Sequence, residues 1–110
     1  MPIVINARVD VFITGGDTPV PQLLPTALER CRRYLEAGAD TVYPIGLVDE
    51  DAIAAVVDAA GGMVNIWARS DAPPLARLRE LGVARVSAAT GLFNAAIDAA
   101  RDHAARLHGA

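Results

Sequence analysis

A parallel α/β fold built from four βα units is what this sequence predicts, and three observations predict it. Short runs rich in β-branched residues alternate with longer stretches of helical period. A glycine follows the end of a helical stretch and precedes the next strand. The segment "LEAGADTV" (residues 35–42) is echoed by "RELGVARV" (residues 79–86) in the order helix end, Gly, small residue, strand. Such a Gly lets the chain leave a helix and enter a strand parallel to the previous one. Alternating apolar strands and helices give a parallel sheet covered by helices.

The elements follow in order. "IVINARV" (3–9) is the first strand. "TGGDTPVPQLLP" (14–25) reads as loop from its Gly and Pro content. The first helix begins near Pro25, which suits a first turn. Leu28, Cys31 and Leu35 form its apolar stripe, and Gly38 stops it. "TVYPIGL" (41–47) is the second strand. Asp49 can cap the next helix, with Glu50 and Asp51 favourable at its positive end. Ile53, Val56, Val57 and Ala60 form that helix's inner side, and Gly61 and Gly62 end it.

"MVNIWA" (63–68) is the third strand. "SDAPPLARLRELG" then reads as a capped, Pro-started helix with Leu75, Leu78 and Leu81 inward. "ARVSAA" (84–89) is the fourth strand. The last helix starts near Thr90 and puts Phe93, Ile97, Ala100, Ala104 and Leu107 on one side.

Composition narrows the class. The 110 residues carry a net charge of -3, and 53% are hydrophobic. That is one domain, and its mild acidity argues against nucleic acid or an anionic membrane as a partner. No run of about 18 apolar residues is present to span a membrane, and the N-terminus does not read as a signal peptide. A single cysteine, Cys31, allows neither an internal disulfide nor a cysteine-based zinc site. These features favour the cytoplasm.

Two architectures accommodate four βα units: a small doubly wound sheet, or half of a (βα)8 TIM barrel. In the doubly wound case both sheet faces are apolar. In a barrel one face turns inward and grows polar toward the C-terminal strand ends. In the first strand Ile5, Ala7 and Val9 share one face, and Asn6, Arg8 and Asp10 share the other. The third strand repeats this more weakly, with Asn65 interior and Arg69 just past the end. The barrel half is the better reading.

With those residues in hand, a resemblance can be stated. "VINARVDVF", "ALERCRRYLEAGADTVYPIGLVDEDAIAAVV", "VNIWA" and "LGVARVSAATGLFNAAI" together resemble the C-terminal half of the isocitrate lyase / phosphoenolpyruvate mutase family. The resemblance implies strands five to eight of a barrel more than twice this length. It implies Mg2+-dependent lyase or mutase chemistry on C–C or P–C bonds. The implied substrates are small anionic 2-oxo or 2-hydroxy carboxylates or phosphonates. It places Arg8 on the anionic substrate, as the catalytic and substrate-binding residue, with Asp10 at the same mouth.

Departures from the family pattern are equally informative. The family's metal-binding carboxylates, and its loop with a reactive Lys-Cys-Gly-His type segment, lie upstream of "NAR". Its true lyases carry Glu after the Pro of the sixth strand, where this chain has Ile45. "YPIGL" resembles a branch whose substrates are loosely defined. The sequence alone therefore reads as a half barrel without a metal site of its own. The first reading is a fragment of such an enzyme, complete only with an N-terminal half; the alternative is a non-catalytic half barrel that self-associates as a structural or binding module.

Each candidate residue has a structural reading beside the functional one. Arg8 can bind substrate or pair with Asp10, and Asp10 can orient Arg8 or end the strand. Asn65 can bind substrate or be a satisfied structural amide. Arg69 and Asp71 read as a surface ion pair. Ser87 and Thr90 stand where a barrel holds phosphate, though Thr90 also suits an N-cap. His103 and His108 read as a solvated helix face, and Cys31 as a core residue. The segment 14–24 can be a lid or a connection.

Overall fold

The computed structural model describes residues 2–109. Its elements are β1 (Asn6–Val9), α1 (Val11–Thr14), α2 (Val20–Glu36), β2 (Thr41–Pro44), α3 (Glu50–Ala59), β3 (Asn65–Trp67), α4 (Leu75–Glu80), β4 (Arg85–Ser87) and α5 (Gly91–Leu107). β1 pairs with β2 and β3 with β4, both parallel, and the bridge Val42↔Val64 joins the two pairs. The order is therefore β1-β2-β3-β4, as consecutive βα units of a barrel require.

Parallel register carries one parity of side chain across the sheet. Val9, Val42, Pro44, Val64 and Ile66 lie on one face and are fully buried. They form the core with Ala27 and Cys31 of α2, Ala52, Ile53 and Val56 of α3, and Leu78 of α4. The helices α2, α3 and α4 thus cover one face only. The glycines of the repeated turn behave as the sequence requires, with Gly38 at φ 108 and Gly82 at φ 89. At Gly82 a Cβ would also stand 3.1 Å from Val57, so any larger residue meets both strain and contact. Asp49 caps α3 as expected, its Oδ1 accepting from the Ala52 N–H at 2.8 Å. Arg77 of α4 reaches Glu50 of α3 at 2.7 Å, a tie between helices that the sequence reading did not anticipate.

Four expectations are corrected. The first strand is shorter than residues 3–9, and Ile3 and Val4 are exposed. Ladder pairing cannot start earlier because β2 begins at Thr41, opposite Asn6. The segment 14–25 is loop only over residues 15–19. α1 closes on Asp10 and α2 starts at Val20, with Pro21 in its first turn and Pro25 inside it. Proline at a first turn forfeits an N–H that has no intrahelical partner anyway. Past Pro25 the helix is held by Ala27 and Cys31 in the core.

α4 is capped by no side chain and is only six residues long, so Leu78 is buried while Leu75 stays 62% exposed. The largest correction is α5. None of its residues is buried, and Phe93 and Leu107 are exposed along with Leu92. The helix extends away from the sheet. The radius of gyration is 16.8 Å with extents of 57 × 41 × 26 Å, against about 13 Å for a compact chain of this length.

Val86 on the outer face of β4 is also exposed, and it lines a groove of about 200 Å³ with Leu75, Leu78 and Val83. An apolar helix side, an apolar groove and an open strand edge all favour association. The chain is expected to sediment as a dimer or larger species. Leu92→Lys with Phe93→Lys should return it to a monomer, and a monodisperse wild-type monomer at high concentration would contradict this.

Cys31 is buried, and burial pushes its thiol from the ordinary 9.0 up to about 11. The folded chain holds this proton at pH values where the unfolded chain releases it. The associated stability is therefore complete below about pH 9 and is lost as pH rises toward 11. At pH 8 a thiol reagent is expected to label Cys31 only as fast as the protein opens, measured against a denatured control.

Candidate functional site

The second face of the sheet carries the opposite parity: Asn6 and Arg8 of β1, Thr41 and Tyr43 of β2, Asn65 and Trp67 of β3, Arg85 and Ser87 of β4. Register places Asn6 beside Thr41 and Arg8 beside Tyr43. The bridge at Val42 and Val64 continues the Arg8 row to Asn65, and Asn65 stands beside Arg85. Where the first face is aliphatic, this one is almost wholly polar or aromatic.

Arg8 and Asp10 lie at the C-terminal end of β1. Arg8 Nε donates to Asp10 Oδ1 at 2.6 Å, and Nη2 donates to Oδ2 at 3.3 Å. Asp10 itself stands at the start of α1, not in the strand, and its backbone carbonyl accepts from the Ile13 and Thr14 N–H groups. The short helix thereby fixes the carboxylate that fixes Arg8. Both side chains remain about half exposed. The Asp10 hydrogen bond and charge raise the Arg8 pKa, so the guanidinium is a permanent cation. Two of its five N–H donors face Asp10, which leaves the rest for another anion.

Tyr43, beside Arg8 in the row, was not among the residues singled out from sequence. Its hydroxyl oxygen is buried and has no hydrogen-bond partner. Burial pushes its pKa up while the Arg8 charge opposes the shift. The alternation of Thr41, Tyr43 and Ile45 along the second strand was the available signal. Ile45 is buried in a tight turn, its N–H bonded to the Tyr43 carbonyl at 2.8 Å.

Asn65 is fully buried. Its Nδ2 donates to Ser87 Oγ at 2.9 Å, and that hydroxyl lies 3.2 Å from Asn65 Oδ1, to which it can donate. Ser87, read as a phosphate-site residue, is therefore engaged with Asn65. Thr41 Oγ1 donates to Asn6 Oδ1 at 2.7 Å. Thr90 does not cap α5 with its side chain, and its Oγ1 instead accepts from Asn94 Nδ2 at 3.4 Å. Arg69 pairs with Asp71, as the sequence reading favoured. His103 and His108 are exposed at the far end of α5.

These residues do not fit Mg2+. Among the described residues, the two carboxylates at this end of the sheet that stand beside its arginines are both engaged: both Asp10 oxygens face the Arg8 guanidinium, and Asp71 pairs with Arg69. Asp40 lies at the other end of the strands, accepting from the Ile5 N–H at 2.7 Å, and Asp49 is occupied in capping α3. Among the described residues no three His, Cys, Asp or Glu side chains cluster closely enough to hold a metal. Mg2+ needs near-octahedral oxygen ligation with at least one free carboxylate.

The family model described as phosphoenolpyruvate phosphomutase matches residues 1–108. A structure from Burkholderia cenocepacia J2315 named as a phosphonomutase is 35% identical, with a TM-score of 0.85 over 94% of this chain and 42% of that one. A second from the same organism, named as a lyase/mutase, is 32% identical, with a TM-score of 0.85 over 99% of this chain and 38% of that one. The chain thus spans about two fifths of the length of either relative. Among curated proteins none matches it.

Ser87→Ala is expected to cost about 1–3 kcal/mol in denaturant unfolding, because it leaves the buried Asn65 amide without its partner. A cost near zero would show that water replaces the hydroxyl without penalty.

Proposed function

The chain belongs to the isocitrate lyase / phosphoenolpyruvate phosphomutase family, and on that premise we propose that it contributes Arg8 to a site that makes or breaks C–C or P–C bonds. The substrates are small 2-oxo or 2-hydroxy carboxylates or phosphonates. The observation that carries this reading is the Arg8–Asp10 pair at the C-terminal end of β1, half exposed on the polar face. The C-terminal strand ends are where βα barrels bind and transform their substrates.

Arg8 holds one anionic group of the substrate by parallel N–H donation. Asp10 keeps the fork in place while substrate arrives and leaves. When a bond beside a carbonyl breaks, negative charge moves onto the enolate oxygen, and a fixed guanidinium nearby stabilises that charge more than it stabilises the substrate. Asn65 and Ser87 are the polar floor of this site. Mg2+ is implied by the family, but the described residues do not fit it. The setting we assign is cytoplasmic, with the chain acting as a homo-oligomer or beside further βα units.

A second reading is supported by the exposed apolar side of α5 and by the two-fifths coverage of the relatives. In it the chain is a self-associating module that binds an anion without turning it over.

Calorimetry with oxaloacetate and with phosphonoacetate, beside a decarboxylase assay on oxaloacetate, tests both. Arg8→Lys is expected to weaken binding about tenfold or more, because a point charge cannot replace the fork. Its melting temperature should be unchanged, since Arg8 is exposed. Equal affinity of the two proteins would reduce Arg8 to a structural partner of Asp10. Binding without turnover in the associated state would select the module.

A further inference from the structure

The Arg8 motif occurs twice. Ala7-Arg8-Val9-Asp10 ends β1, and Ala68-Arg69-Ser70-Asp71 follows β3. In both, the arginine bonds the aspartate two residues on. Arg69 lies just past β3, where its N–H turns back to the Trp67 carbonyl at 2.9 Å, at the same end of the sheet as Arg8. Its guanidinium lies over the Trp67 ring, 5.2 Å from the centroid. Stacking of this kind holds a guanidinium in place while leaving its N–H edge free.

The two cations approach one level. Arg8 leans forward along β1 toward Asp10, and Arg69 folds back toward Trp67, one step beyond the Arg8–Asn65 row. Between them stands β2, so the lateral separation of their strands is two spacings, about 10 Å. With a charge-assisted hydrogen bond of about 2.8 Å at each end, that gap suits a small dianion.

We propose that Arg69, stacked on Trp67, is a second anion-binding residue of this mouth, taking one anionic group of a small dianion whose other group lies on Arg8. The inference rests on the reading of Arg8 given above and adds the residue that selects dianions over monoanions. Either a dicarboxylate or a phosphonocarboxylate carries the required chemistry.

Trp67 is the single tryptophan of the chain, so its emission reports on this position. The full chain is titrated at constant ionic strength with malonate, with phosphonoacetate and with acetate. Both dianions are expected to change Trp67 emission saturably at concentrations about tenfold lower than acetate, the effect of one further charge-assisted contact. Arg69→Gln should bring the dianions to the acetate level and leave acetate unchanged. A response to phosphonoacetate alone, or to malonate alone, identifies which anion Arg69 takes.

An undiminished dianion preference in Arg69→Gln, or no saturable change of emission in the wild type, overturns the inference. If Arg69→Gln does not fold, Asp71→Asn decides. It keeps the cation and removes its internal competitor, so the dianions must bind more tightly, and weaker binding overturns the proposal. Arg8→Gln separates the two claims. Should it leave acetate binding intact while Arg69→Gln removes the dianion preference, the Arg8 reading falls and Arg69 remains as an anion-binding residue without Arg8 as its counterpart. The reverse pattern sinks Arg69 alone.

Discussion

Parallel register is the constraint on which the rest of this structure depends. Asn6↔Thr41, Val42↔Val64 and Asn65↔Arg85 align four short strands so that each row of side chains keeps one direction. A slip of one residue in any strand would turn its aliphatic set outward and push its polar set into the helices. The slip is opposed on both faces at once. Val42, Val64 and Ile66 would leave the core, and Asn65 would lose Ser87 and enter it. Strands of three or four residues have few ladder bonds, so side-chain sorting rather than backbone pairing holds them in place.

The two faces then follow different rules. The helix-covered face is held by apolar burial among Val9, Cys31, Val42, Ile53, Val56, Val64, Ile66 and Leu78, the non-directional term that dominates folding. The other face is built from named partners: Thr41 with Asn6, Asn65 with Ser87, Arg8 with Asp10. Directional bonds there leave donors of fixed position, which a binding site needs and an aliphatic core cannot supply. α1 is the hinge between the two regimes. It buries Val11 in the core, while the Asp10 carbonyl at its start closes the turn that places the Arg8 partner.

The apolar layer stops at β4. Val86 and Leu75 remain exposed beside a groove, and α5 leaves the sheet with its apolar side uncovered. The turn before it places Ala89 at φ 49, a conformation that costs a non-glycine residue energy and is kept only when its surroundings impose it. Each of the two similar structures named above is more than twice as long as the part of it this chain covers.

The sequence by itself determined the four βα units, their parallel order, the Asp49 cap, the turn glycines and the polar parity of Asn6 and Arg8. Each of these is written in local spacing, and spacing survives without knowledge of neighbours. It also showed Arg8 and Asp10 close enough in the chain to pair. Only the tertiary structure decided the rest. Gly and Pro in residues 14–25 read as loop, yet packing of Ala27 and Cys31 extends α2 back through Pro25. Phe93 and Leu107 have the period of a buried helix side, yet burial depends on a surface to cover them, and periodicity does not say whether one is present. Tyr43 and Trp67 became part of the polar face through cross-strand register, which links residues far apart in the chain and leaves no mark in the spacing of either strand alone.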